Sequence, residues 1–166
     1  MRSYSEQSFK QILYECYKHK EKISIARQHL VTAMPLTAEL YISLNDVDMS
    51  FIDQLIFRFS KLQDTLGEKI FPAMLTLSEE DVKRKTFVDI LNRLEELDVI
   101  NKNHWLKLRE TRNQIAHEYS FNTEELLESI TNVYNASNEL INIFDEIIVF
   151  CREKFEFLKP THEGVG

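Results

Sequence analysis

The stretch Trp105–Tyr119, WLKLRETRNQIAHEY, decides the fold. On a helix advancing roughly 100° per residue, Trp105, Leu108, Ile115, Ala116 and Tyr119 fall on one side, with Arg112 among them. Trp105, Leu108, Arg112, Ile115 and Tyr119 thus form a heptad-like seam that carries a permanent cation where an apolar residue is expected. A guanidinium cannot shed its charge by losing a proton, so burying it without a partner is expensive. A carboxylate, a symmetry-related chain or a phosphate must offset that cost. Five residues on stands His117, the side-chain type that titrates near physiological pH. Taken singly, an arginine on a seam is ordinarily a snorkelling or salt-bridged residue, and a lone histidine an ordinary structural one.

The rest of the composition agrees with helices. The chain has 166 residues, enough for one domain with a real core, and only three glycines and three prolines to break its elements. Cys16 and Cys151 stand far apart with no Cys/His cluster around them, which argues against a zinc site and against a disulfide scaffold. No apolar run approaches the length of a membrane span and the N-terminal MRSYSEQSFK lacks a signal-peptide core, so the expected location is cytoplasmic. A net charge of −7 disfavours broad, nonspecific binding to nucleic acid but permits a local cationic site.

In chain order, Ser5 caps a first helix running to about Met34, with Phe9, Ile12, Leu13, Cys16, Ile23 and Leu30 inward and Pro35 as a stop. Its basic middle, Lys18, His19, Lys20, Lys22 and Arg27, is either a solvated face or a path for a polyanion. Leu36–Leu44 forms a short helix or continues the first after a bend; a capped loop at Asn45–Asp48 follows, then a long second helix from about Met49 to Leu77. Pro72 should kink or interrupt that helix near its end. Arg58 and Gln63 break its apolar surface; ordinary exposure is expected of both, with orientation toward a site as the alternative. Ser78-Glu79-Glu80-Asp81 resembles a capping box that starts a third helix with Phe87, Ile90, Leu91 and Leu94 on its inner face. Asn101 or Asn103 caps the next helix, and Thr123-Glu124-Glu125 opens a last one reaching about Leu158. The predicted architecture is all-α: an antiparallel bundle of four long helices plus a short one, a single domain over 1–158, and a flexible tail over 159–166. The sequence contains no Gly-rich phosphate loop and no GxSxG-type nucleophile.

The string Arg112-Asn113-x-x-x-His117-x-Tyr119 resembles the R-x4-6-H motif of the HEPN family, and more narrowly the R-x4-H-x-Y form of the HepT-like toxins. The leucine-rich segment Thr86–Ile100, TFVDILNRLEELDVI, is also similar to the helix that precedes the motif in that family. The resemblance implies a helical bundle that forms a symmetric homodimer and cleaves RNA without a metal or other cofactor. The 2′-hydroxyl attacks the neighbouring phosphate, leaving a 2′,3′-cyclic phosphate and a free 5′-hydroxyl. In that chemistry His117 moves protons, Arg112 stabilises charge on the pentacoordinate phosphorus, and Asn113 orients the scissile group or holds Arg112. It further implies a nucleotidyltransferase antitoxin as partner, which attaches AMP to Tyr119. Lys102, Lys107 and Arg109 are candidate RNA-binding residues along the same cleft, and Glu110, Asp98 and Glu118 are candidate acceptors for Arg112.

Geometry adds a condition. Arg112 and His117 differ by roughly 140° in direction on an ideal helix, so one helix does not easily aim both at one phosphate. Either the helix ends near His117, or two chains bring their motif helices together and bury Trp105 and Leu108 between them. Two other readings stay open: a non-catalytic HEPN subunit that binds nucleotide or substrate for a nucleotidyltransferase, and a structural dimeric bundle in which Arg112 pairs across the interface.

Overall fold

The computed structural model describes residues 5–117 and 123–160; of His117 it describes the backbone. Helix α1 (Glu6–Leu30) begins where Ser5 Oγ accepts the Ser8 N–H at 3.0 Å, satisfying one of the donors a helix start leaves open, and it passes into a 3-10 turn at Val31–Ala33. The short α2 (Ala38–Ser43) is capped in the same way by Thr37. Helix α3 (Asp46–Thr65) starts three residues before the expected Met49, because Asn45 and Asp48 form a reciprocal capping box.

The interruption expected at Pro72 takes a specific form. Proline has no N–H and its ring collides with the carbonyl four residues back. The chain answers with one wide π turn, Leu66–Ile70, in which the Phe71 N–H donates to the Leu66 carbonyl, and α4 (Phe71–Leu77) continues beyond it.

One expected helix start is a helix end. Ser78-Glu79-Glu80-Asp81 terminates α4: the Glu79 N–H donates to Thr76 O (3.0 Å), the Glu80 N–H to Leu75 O (2.9 Å), and Glu79 takes a left-handed φ of 63°. This is the 6→1, 5→2 pairing of a Schellman motif. The third helix, α5 (Phe87–Glu96), starts only at Thr86, where Thr86 and Asp89 form the box that the earlier residues resembled. It ends in the same motif, with Asp98 at φ 57° and the Val99 N–H on Leu94 O.

Helix α6 (Lys102–His117) is capped by Asn101, whose Oδ1 accepts the His104 N–H at 2.9 Å, while Glu95 Oε2 accepts the Lys102 N–H at 2.7 Å. Helix α7 (Thr123–Lys154) stops short of the expected Leu158; a 3-10 turn, Glu156–Leu158, follows.

The described residues are helical with no strand among them, and the helices form a bundle: α1 packs along α3, α6 along α7, and α3 reaches both α6 and α7. Phe9, Phe59, Phe71, Trp105 and Phe144 fill the centre, each fully buried and contributing about 2–3 kcal/mol of transfer free energy. The basic middle of α1 is not one polyanion path. Arg27 donates to Tyr134 O and Ser137 Oγ and lies 4.1 Å over the Tyr134 ring, Lys20 pairs with Asp145 at 2.6 Å, and Lys18 pairs with Glu21. Two of these five residues, Lys20 and Arg27, therefore tie α1 to α7. Cys16 and Cys151 are buried free thiols, pushed up to about 12 chiefly by burial. No described helix is long and apolar enough to cross a membrane.

Candidate functional site

The seam of α6 faces its own chain. Trp105 and Leu108 are 1% and 2% exposed within a single copy, and Ile115 is buried as well. Trp105 packs on Phe71 with ring centroids 4.6 Å apart and the planes tilted by 59°, and it approaches the Leu66–Ile70 turn closely because residue 67 is glycine: a Cβ there would sit 3.3 Å from Trp105 Cζ2. These two residues are therefore unavailable to an interface between copies, which corrects the expectation that a dimer buries them. Ala116, expected on the same side, is exposed at the edge of a cleft.

Arg112 has its carboxylate inside the chain. Its Nε donates to Asp64 Oδ1 at 3.1 Å and its Nη2 to Asp64 Oδ2 at 2.9 Å, a two-point pairing that fixes the plane of the guanidinium. The Asp64 hydrogen bonds hold the Arg112 pKa above the ordinary arginine value, with the charges of Asp64 and Glu68 adding to them against some desolvation. The partner of Arg112 is Asp64 of α3, not Glu110 or Asp98, the acceptors expected from the neighbourhood of the motif. Glu118, the third, lies outside the described residues. A chain with 27 acidic residues gives no sequence signal that selects Asp64.

The Arg112–Asp64 pair stands between two depressions. On one side is a mostly apolar cleft of about 660 Å³, lined by Arg112 and Asp64 together with Ile56, Phe57, Ile115 and Leu126. On the other is a smaller cavity of about 250 Å³, which Asp64 shares with Gln63, Gly67, Phe87, Trp105 and Arg109. Gln63, expected to be exposed, is 3% exposed, and neither atom of its amide has a hydrogen-bond partner. The expectation failed because a long polar side chain on an apolar face can fold inward as well as outward, and periodicity does not distinguish the two. Arg58 is half-buried against His19, with Nη1 3.1 Å from Nδ1.

The other motif residues are distributed around α6. Asn113 is exposed, on the helix face roughly 100° round from Arg112. His117 is the last residue of α6 in the described chain; its side chain, Glu118 and Tyr119 lie outside the described residues. The three candidate RNA-binding cations do not share a cleft. Arg109 lies 4.7 Å over the Phe87 ring at the small cavity, Lys102 donates to Asn92 of α5 at 2.9 Å, and Lys107 opens onto a groove against α7 with Glu110 and Glu139. Two residues apart on a helix is a rotation of about 200°, which separates Lys107 from Arg109. Among the described residues no group of three or more His, Cys, Asp or Glu is placed to hold a metal ion. No family model, curated protein or solved structure matches the chain.

Proposed function

We propose that this chain is a HEPN-like, HepT-type ribonuclease that cuts RNA by attack of a 2′-hydroxyl on the adjacent phosphate. The observation that supports it is the Asp64 clamp: a planar cation held by two hydrogen bonds at a cleft edge, on the helix that also carries His117. A fork preset in this way loses little freedom when it meets the oxygens of a pentacoordinate phosphorus. The 2′-hydroxyl gives its proton to one histidine as its oxygen bonds phosphorus. The departing 5′-oxygen takes a proton from a second, leaving a cyclic phosphate and a 5′-hydroxyl. Two motif histidines require two chains, since each chain carries one, and a second chain also answers the divergence of roughly 140° between Arg112 and His117 on one helix.

With the α6 seam spent on the core, the exposed stripe Asp53, Phe57, Lys61 on α3 is the surface that suits a twofold. Spaced four residues apart, the three would pair Phe57 with its copy and Asp53 with Lys61 of the second chain in an antiparallel crossing. Tyr119 is the proposed AMP acceptor, and a nucleotidyltransferase the proposed antitoxin; added phosphate near Arg112 would take the guanidinium protons that Asp64 leaves free and so block RNA phosphate there. A structural reading of Arg112 is favoured by the same Asp64 pairing, though not by one across an interface. Cleavage of RNA by the purified protein, with Arg112→Ala and His117→Ala as controls, separates them. The expected outcome is a 2′,3′-cyclic phosphate product that both variants fail to form. Full cleavage by either folded variant, or a strict requirement for added divalent metal, refutes the mechanism.

A further inference from the structure

Where the first half of α1 meets the end of α7, an open cavity of about 370 Å³ lies between the two helices and the Glu156–Leu158 turn. It shares no lining residue with either depression beside Asp64. Its floor is aliphatic: Leu13 of α1 and Ile148 of α7 are buried beneath it, with Leu158 of the turn beside them. Over that floor stand two exposed polar groups that the fold has already joined. Arg152 Nη2 donates to the Tyr17 hydroxyl oxygen at 3.1 Å, and the Tyr17 ring is held edge-on against Phe144 with centroids 5.2 Å apart. A phenol that accepts through its oxygen keeps its own proton to give, and among the described residues nothing takes it. Carboxylates nearby are spent elsewhere: Glu21 on Lys18, Asp145 on Lys20 and Glu156 on Lys159. Among the described residues, neither Arg152 nor Lys10, the second cation on the cavity wall, has a carboxylate in ion-pair contact. In a chain of net charge −7, two cations left unpaired over one apolar floor suit an anion from outside.

We propose that this cavity binds a medium-chain acyl carboxylate, its head on Arg152 and Tyr17 and its chain along Leu13 and Ile148. One carboxylate oxygen takes the Tyr17 O–H and the other a guanidinium N–H, a charge-assisted pair of donors set at one point before the ligand arrives. The chain runs toward Lys10, which stands seven residues before Tyr17 on α1, about 10 Å along the axis. Acetate is too short to use that floor. A stacked aromatic plane is not what the walls invite: Lys10 Nζ already lies 5.9 Å from the Phe157 centroid, and Phe155 stacks on the same ring. What remains exposed to the cavity is aliphatic, and it rewards methylene groups in proportion to the area they cover. The site is independent of the ribonuclease reading, since no residue of the Arg112 cleft takes part.

Isothermal titration calorimetry of the full chain with octanoate, octanol and acetate tests each part of the site. Octanoate should bind saturably with a dissociation constant below about 1 mM and raise the thermal midpoint by mass action. Octanol, which keeps the chain and lacks the charge, should bind at least about tenfold more weakly, and acetate not measurably. Arg152→Met should weaken octanoate about tenfold and Tyr17→Phe about fivefold, the losses expected for a charged and a single neutral donor. Both positions are exposed, and Tyr17→Phe keeps the ring against Phe144, so both variants should fold as the parent does. No saturable octanoate binding overturns the proposal. Octanol binding as tightly as octanoate removes the anion subsite and overturns it too. Undiminished octanoate binding by Arg152→Met and Tyr17→Phe places the ligand elsewhere, in the Arg112 cleft for example, and is equally fatal.

Discussion

The Arg112–Asp64 clamp can be weighed by a double-mutant cycle with Arg112→Met and Asp64→Asn, two changes that remove charge, the first keeping the unbranched stem and the second the shape of the side chain. The two N–H···O contacts, 2.9 and 3.1 Å, place the charge centres near 4 Å apart. At an effective dielectric of about 20 that separation is worth about 4 kcal/mol of Coulomb attraction. The side chains are 24% and 39% exposed, however, so solvent screening and the ordering of two side chains cut the net coupling to about 1 kcal/mol. Loss of the pair should lower the thermal midpoint by about 2–4 °C for a domain of this size. Because the pairing raises the arginine pKa, Arg112's share is complete at every pH below the ordinary arginine value and lost only far above it. Urea unfolding of the parent, both single variants and the double variant measures the coupling directly. A coupling within about 0.3 kcal/mol of zero would refute this magnitude and remove the energetic support for a preset fork.

Two further outcomes follow from local features. Glu79 and Asp98 occupy left-handed positions that glycine fills without strain, so Glu79→Gly and Asp98→Gly should each stabilise the fold by about 0.5–1 kcal/mol in thermal denaturation. A loss of stability in both would show that those side chains have roles beyond helix termination. His19 has its pKa lowered, first by desolvation and then by Arg58, with Lys61 acting the same way and Glu15 against. A depressed pKa means its contribution is full above about 6.5 and lost as pH falls through the lower folded value, so stability should drop on acidification from pH 7 in the parent and less in His19→Gln. Equal pH profiles for the two proteins would contradict that assignment.

Helix starts were readable from the sequence wherever a short-range rule governed them. Ser5, Asn45 and Asn101 cap because a side-chain oxygen lies within reach of N–H groups two or three residues on. The same rule misled at Ser78, since the residues of a capping box also suit a helix end when one of them accepts a left-handed backbone. What the sequence could not carry were choices made between elements. Periodicity marked the apolar side of α6, but whether Trp105 and Leu108 pack on their own chain or on a second copy is settled by the shape of α3 and of the wide turn after it, Gly67 included. Arg112 announced that it needs an anion; Asp64, forty-eight residues away, became visible only once two helices were side by side. Gln63 is the same lesson in reverse, a polar residue whose burial depends on what lies across from it.

The wide turn at Leu66–Ile70 bears on how this chain tolerates length changes. It holds one residue more than a regular helix would use over the same span, so the two halves of the long helical run are out of phase with an unbroken helix. Upstream, the phase aims Gln63 and Asp64 at α6; downstream, it aims Phe71, Met74 and Leu75 at the core. Deleting one residue between 66 and 70 would restore ordinary pairing and leave that second set facing the core, since the wide turn absorbs the extra residue, but it would drive the Pro72 ring against the carbonyl four residues back. Any homologous sequence aligned with this one should therefore keep the extra residue and Pro72 together, or lack both.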